Sequence, residues 1–169
     1  MEENNIAFNA RAIFAWTADR LYRVYVRDDA LYFIRTGGQG MATAVGAGFG
    51  MVGALVGQAI EKRSAAKRSA RLAAEEREGL QTMLAGHKHN FRVSPGDIGE
   101  SSIEPQPAFG GHGAAVGRWL LTLGDKKWTL EFPKVADMEV ALAHLPRWFG
   151  DRLRVNVQWD ERKKRYGKR

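Results

Sequence analysis

The first third of the chain carries its apolar residues at the period of β-strands. Arg11–Trp16 (RAIFAW), Leu21–Val26 (LYRVYV) and Ala30–Arg35 (ALYFIR) are rich in aromatic and branched side chains, the composition that a pleated, half-buried surface favours. In the second run Tyr22, Val24 and Val26 share one face, while Leu21, Arg23 and Tyr25 share the other. Asp28-Asp29 between the last two runs is a short polar turn, so those runs are predicted to pair as a hairpin. Thr36-Gly37-Gly38-Gln39-Gly40 ends the strand pattern.

The period then changes. Met41–Ile60 (MATAVGAGFGMVGALVGQAI) holds no charge, and Gly46, Gly50, Gly53 and Gly57 recur at steps of four, three and four. That spacing lines the glycines along one side of an α-helix. Met41, Val45, Phe49, Val52, Val56 and Ile60 form an apolar stripe beside them, with Met51 and Leu55 on a further side. A helix apolar almost all round is buried in protein or lipid. Each glycine lowers helix propensity by roughly 1 kcal/mol relative to alanine, so packing must compensate. A stripe without side chains lets another backbone approach closely, which makes these four glycines the candidate helix-contact residues. From Glu61 to Leu84 the sequence is polar and Ala-rich, and it predicts a second helix or a continuation of the first.

Strand character returns at His89–Val93 and Ile98–Ile103, before a Gly/Pro-rich loop from Pro105 to Gly113. Val116–Leu123 (VGRWLLTL) and Lys127–Phe132 (KWTLEF) flank Gly124-Asp125, a second predicted hairpin. Pro133 stops it. Lys134–Phe149 reads as an amphipathic helix whose apolar face is Val135, Met138, Leu142 and Leu145, and Leu153–Trp159 reads as a last strand. The expected core is Val24, Leu31, Phe33, Leu120, Leu130, Phe132 and Leu142.

In this order the segments resemble pleckstrin-homology-like (PH-like) domains, especially the GRAM group and bacterial PH-like domains. The likeness is carried by RVYVRDDALYFI (Arg23–Ile34), FRVSPGDIGESSIE (Phe91–Glu104), RWLLTLGDKKWTLEF (Arg118–Phe132) and the helix start KVADMEVAL (Lys134–Leu142). The resemblance implies an α+β fold: a bent antiparallel sheet or barrel capped by a C-terminal helix. It makes 11–159 a single domain, interrupted by a helical insertion at 37–86 and followed by a basic tail at 160–169. Members of the group mostly bind membranes, lipids or protein segments. Phosphoinositide-binding members carry Lys and an Arg-x-Arg pair across the first hairpin. Here that stretch offers Arg23, Arg27 and Arg35 without such a pair, and no lipid-site residue is carried over.

Length and composition narrow the field further. At 169 residues the chain can bury a substantial core, and its 44% hydrophobic and 27% charged content is that of a globular protein. The absence of cysteine excludes disulfides, thiol catalysis and Cys-ligated zinc. The start MEENNIAFNA is acidic and polar, without the pattern of a secretory signal, which leads to the expectation of a cytoplasmic protein, peripheral on the membrane where it docks. The formal net charge is +7, concentrated in two places. Lys62, Arg63, Lys67, Arg68 and Arg71 follow the apolar segment, and Arg162, Lys163, Lys164, Arg165, Lys168 and Arg169 stand against only Asp160 and Glu161. Such clusters suit an anionic membrane face or nucleic acid, and also fit a solvated helix and a disordered end.

Catalytic and cofactor motifs fare poorly. Gly48-x-Gly50-x-x-Gly53 matches GxGxxG, but the preceding strand ends near Arg35, too far away for a dinucleotide fold. No Walker sequence occurs, and no cofactor is implied. His87, His89 and His112, with Glu100 and Glu104, are weighed as zinc ligands against exposed loop histidines. Ser94, Ser101 and Ser102 lack a nucleophile-elbow setting. Trp119, Trp128, Trp148 and Trp159 interleave with basic residues and could stack on single-stranded nucleic acid, or simply pack.

Twenty uncharged residues followed by a Lys/Arg cluster meet the length of a bilayer crossing. If the strands on either side of the insertion share a sheet, however, one crossing would split the domain. The expectation is therefore a noncatalytic adaptor that self-associates or docks on an anionic membrane through its glycine-rich insertion, with a basic nucleic-acid-binding protein as the alternative.

Overall fold

A computed structural model describes residues 6–14, 19–38, 79–107 and 115–169. Its centre is an eight-stranded, curled sheet in the order β4-β3-β2-β1-β7-β6-β5-β8. The strands are β1 (Ala7–Ile13), β2 (Arg20–Val26), β3 (Leu31–Gly38), β4 (Phe91–Val93), β5 (Ile98–Pro105), β6 (Gly117–Leu123), β7 (Lys126–Phe132) and β8 (Leu153–Val155). Neighbours are antiparallel except β8, which runs parallel to β5. With the C-terminal helix this is the α+β class expected from the sequence.

The alternation in β1 explains its placement. Phe8, Ala10 and Ala12 point into the core and are buried, while the residues between them are only partly covered. The strand therefore lies earlier than the predicted Arg11–Trp16; its two alanines are too small to advertise the period. The β2–β3 hairpin has the predicted partners, from Val24 opposite Phe33 to Val26 opposite Leu31, with a register irregularity at Leu21/Tyr22. The β6–β7 hairpin turns through Gly124-Asp125, where Gly124 takes φ +60, a conformation that suits glycine at the first position of a tight hairpin.

β3 departs from simple alternation: Leu31, Tyr32, Phe33 and Ile34 are all buried. Leu31 and Phe33 enter the main core, while Tyr32 and Ile34 join Tyr25 and Met83 in a second cluster on the opposite face. The cover there comes from α1 (Leu80–Ala85), which sets Leu80, Met83 and Leu84 against the sheet. A strand buried on both faces reads as a continuous apolar run.

The second helix, α2 (Val135–Phe149), caps the main core. It buries Met138, Ala141, Leu145 and Phe149, a stripe at steps of three and four. Leu142 lies on the flank of that stripe and is only partly buried, as is Leu120. These two expected core residues are thus corrected: Ala141 and Phe149 occupy the centre of the helix face, and Leu120 points away from the buried side that Trp119 and Leu121 fill. Three long-range hydrogen bonds hold α2 in place. Asp137 Oδ1 accepts from the Asn9 backbone N–H at 2.7 Å and from Asn9 Nδ2 at 2.8 Å, and Trp148 Nε1 donates to the Arg27 carbonyl at 3.0 Å.

After α2 the predicted single strand Leu153–Trp159 divides. β8 joins the main sheet, while β9 (Val157–Asp160) pairs with β10 (Arg165–Lys168) in a separate two-stranded ribbon. Residues 160–169, read from sequence as a basic tail, thus form the turn and second arm of a hairpin. No helix among the described residues is long and apolar enough to cross a membrane.

Candidate anion-binding surface

The β9–β10 ribbon is built around a turn of four residues, Glu161–Lys164. Asp160 organises it. Its Oδ1 accepts from the backbone N–H groups of Arg162 at 3.0 Å and Lys163 at 2.9 Å, the local pattern by which an Asp stabilises a turn. These bonds, the Lys163 N–H first among them, hold the Asp160 carboxyl below the usual carboxylate range. Lys164 takes φ +50, a left-handed conformation that costs an L-residue roughly 1–2 kcal/mol and that the surrounding turn must support.

This geometry gathers Arg162, Lys163, Lys164 and Arg165 at one exposed end of the ribbon. Two of the four have partial counterions: Lys163 Nζ lies 3.7 Å from Asp160 Oδ2, and Lys164 Nζ lies 2.8 Å from Glu161 Oε2. Both pairs are open to solvent, where such bridges contribute little and can exchange for an external anion. Arg162 and Arg165 form no salt bridge among the described residues.

One pair behind the tip, Trp159 stands opposite Tyr166, with ring centroids 5.1 Å apart and planes at 69°. Trp159 is 37% exposed, the large hydrophobic side chain that the described surface leaves open. Tyr166 is partly buried against the main core, and burial, followed by the charge of Glu139 on α2, raises its phenol above the usual value. Val157 is buried and anchors the base of the ribbon. The tip is charged, the next layer is aromatic, and the root is apolar.

The other candidates from the sequence fall apart spatially or lie elsewhere. Gly46, Gly50, Gly53, Gly57, Lys62, Arg63, Lys67 and Arg68 are outside the described residues, as is His112. Arg23 lies over the Tyr25 ring at 5.7 Å, Arg27 donates to the Val26 carbonyl, and Arg35 meets His87 at 2.9 Å. These three arginines serve different parts of the hairpin. His87 and His89 sit in the turn before β4, not on a strand, with His87 Nδ1 accepting from the His89 N–H. Partial burial and the nearby Arg20 and Lys88 push the His89 imidazole below its usual value. Among the described residues no group of three or more His, Asp or Glu is arranged to hold a metal.

Of the serines, Ser101 Oγ accepts the buried Trp119 indole N–H at 2.8 Å, and Ser94 forms a capping box with Asp97. Trp119 and Trp128 are packing residues: Trp119 is fully buried, and Trp128 contacts Phe14 and Phe91. Glu100, Ser102, Glu104, Lys127, Arg154 and Asn156 line an open groove of about 330 Å³ on the outer face of the sheet. Within it Asn156 Nδ2 donates to Glu104 Oε1 at 2.6 Å, and Arg154 reaches Glu100 at 3.6 Å. Sequence reasoning marked the basic residues of the tip but missed their turn. The signal was present in Asp160 followed by a run of polar residues and then by Tyr166-Gly167.

Comparison with family models, with curated proteins and with solved structures returns no match for the chain.

Proposed function

We propose that this protein is a noncatalytic, PH-like binding protein that docks on an anionic membrane surface, with self-association through its glycine-rich segment reinforcing the attachment. The observation that carries the reading is the ordered basic tip of the β9–β10 ribbon with Trp159 behind it. Each Lys or Arg near an anionic bilayer contributes about 1 kcal/mol, so four supply roughly 4 kcal/mol, a dissociation constant in the millimolar range. That is too weak for stable residence. A second attachment is needed, and linked weak contacts multiply into useful avidity.

Segment 39–78 is suited to provide it. The segment follows β3, which ends at Gly38, and precedes β4, and β3 and β4 are hydrogen-bonded neighbours in one sheet. A single membrane crossing between them would set paired strands on opposite sides of a bilayer. The arrangement favours a segment that leaves and returns on one side, to dip into lipid or to pack against a second copy through Gly46, Gly50, Gly53 and Gly57. The PH-like reading itself draws support from the strand order β4-β3-β2-β1-β7-β6-β5 followed by α2 across the core. The noncatalytic reading draws support from two buried polar groups spent on packing: Asp137 Oδ1 is taken up by Asn9, and Ser101 Oγ by the Trp119 indole.

Nucleic-acid binding is the second reading, favoured by the exposed Trp159 near four cations. Flotation with anionic and neutral vesicles, beside oligonucleotide retention over a salt series, separates the two. Sizing of the same samples tests self-association. Retention on anionic vesicles that falls with salt supports the proposal, and retention on oligonucleotides alone supports the second reading.

A further inference from the structure

We infer that the β9–β10 ribbon lies along the membrane surface, its basic turn against the headgroups and Trp159 beside it as the aromatic anchor, and so sets the orientation of the domain on anionic phospholipid. This rests on the membrane reading above and assigns it a specific element. Two observations converge on it. Arg162, Lys163 and Lys164 in the turn that Asp160 holds in shape, and Arg165 at the start of β10, stand at consecutive positions. The first cross-strand pair behind the turn is Asp160–Arg165, and the second is Trp159–Tyr166. At the rise of a β-strand this sets the aromatic pair roughly 7 Å behind the turn. With the ribbon lying along the surface, the exposed Trp159 ring reaches the interfacial zone that aromatic rings with a polar edge favour, while the neighbouring basic side chains reach the headgroup phosphates.

The shape of the patch favours lipid over nucleic acid. A planar anionic surface can meet cations gathered within four consecutive residues together. A single strand requires cations spread along a groove, with open ring faces for successive bases. Here the cations are consecutive residues, and Tyr166 packs against the Trp159 ring. Lys163 and Lys164 can exchange their solvent-exposed carboxylate partners for phosphates, and Arg162 and Arg165 have no salt bridge to break among the described residues.

The test uses the full chain with vesicles of phosphatidylserine and phosphatidylcholine. The charge reversal Arg162→Glu/Arg165→Glu is compared with Lys126→Glu/Lys127→Glu, an equal change of net charge at the exposed β6–β7 turn. The ribbon variant is expected to lose at least about thirtyfold in partitioning at low salt, the loss from removing two cations alone, and the control about twofold or less. Quenching of tryptophan fluorescence by lipids brominated along the acyl chain is measured in parallel. Wild type is expected to show a quenched component that disappears in Trp159→Phe, a variant that keeps an aromatic ring against Tyr166. Equal losses in the two charge variants, or quenching that persists in Trp159→Phe, overturn the assignment while leaving the membrane reading intact. Failure of wild type to bind any vesicle overturns both. Oligonucleotide binding that depends on the ribbon, without vesicle binding, assigns the tip to nucleic acid and likewise overturns the proposal.

Discussion

Removing the Asp137 carboxylate should loosen the capping helix far more than its position at the start of α2 suggests. The side chain is 7% exposed, and its Oδ1 accepts two bonds from Asn9, including the backbone N–H. Pairing of β1 with β7 begins only at Arg11, so the Asn9 N–H has no strand partner there and depends on Asp137. In Asp137→Ala that buried donor is left unmade, which costs about 1–3 kcal/mol, and the favourable placement of a negative charge in the first helical turn contributes about 0.3–1 kcal/mol more. The expected loss is about 1–4 kcal/mol. Asp137→Asn keeps an acceptor for Asn9 and forfeits chiefly the charge, so about 1 kcal/mol is expected. Urea unfolding of the three proteins, fitted with a common slope, measures both differences. Equal destabilisation by Ala and Asn, or an Ala variant within about 0.5 kcal/mol of wild type, would refute the view that this bond fastens α2 to β1.

Other consequences are equally specific. A Cβ added at Gly117 would lie 2.7 Å from Met138 Sδ and 3.1 Å from the Glu104 carbonyl, so Gly117→Ala should lose about 1–3 kcal/mol by overpacking; combining it with Met138→Val should cost less than the sum, as measured by thermal or urea unfolding. Ser101→Ala leaves the fully buried Trp119 indole N–H without its acceptor and should cost about 1–3 kcal/mol, visible in the unfolding midpoint. Because the backbone bonds from Lys163 and Arg162 depress the folded-state pKa of Asp160, its support of the turn is present above the unfolded carboxylate pKa and is lost as pH falls through the depressed value. Amide shifts of Arg162 and Lys163 should report that transition on the acid side of ordinary carboxylates and lose it in Asp160→Asn; a transition at the ordinary carboxylate pH would contradict the turn geometry.

The hairpins were legible in the sequence because each couples period-two burial to a local turn, as Val24 opposite Phe33 and the Gly124-Asp125 reversal illustrate. The amphipathic α2 was legible too, although its stripe is centred on Ala141 rather than Leu142: a small residue at the closest approach of helix and sheet gives a weak hydrophobic signal. What escaped depends on distant partners. The double burial of β3 arises because Met83 returns to cover Tyr32 and Ile34, and the Asp137–Asn9 bond spans most of the chain. The ribbon at the C-terminus was hidden by its charge. Only Tyr166 supplies an apolar contact in β10, so the strand is defined by pairing with β9 rather than by its own alternation. The basic residues themselves were visible, but the turn that gathers them at one tip was not.

The most direct measurement is flotation of the intact protein with phosphatidylserine-containing and pure phosphatidylcholine vesicles at low and high salt, with oligonucleotide competitors present. Membrane docking predicts selective flotation with the anionic vesicles, reduced by salt as exposed charges are screened and resistant to oligonucleotide. A protein that stays at the bottom of the gradient with anionic vesicles at low salt, or that is stripped from them by oligonucleotide, would contradict it.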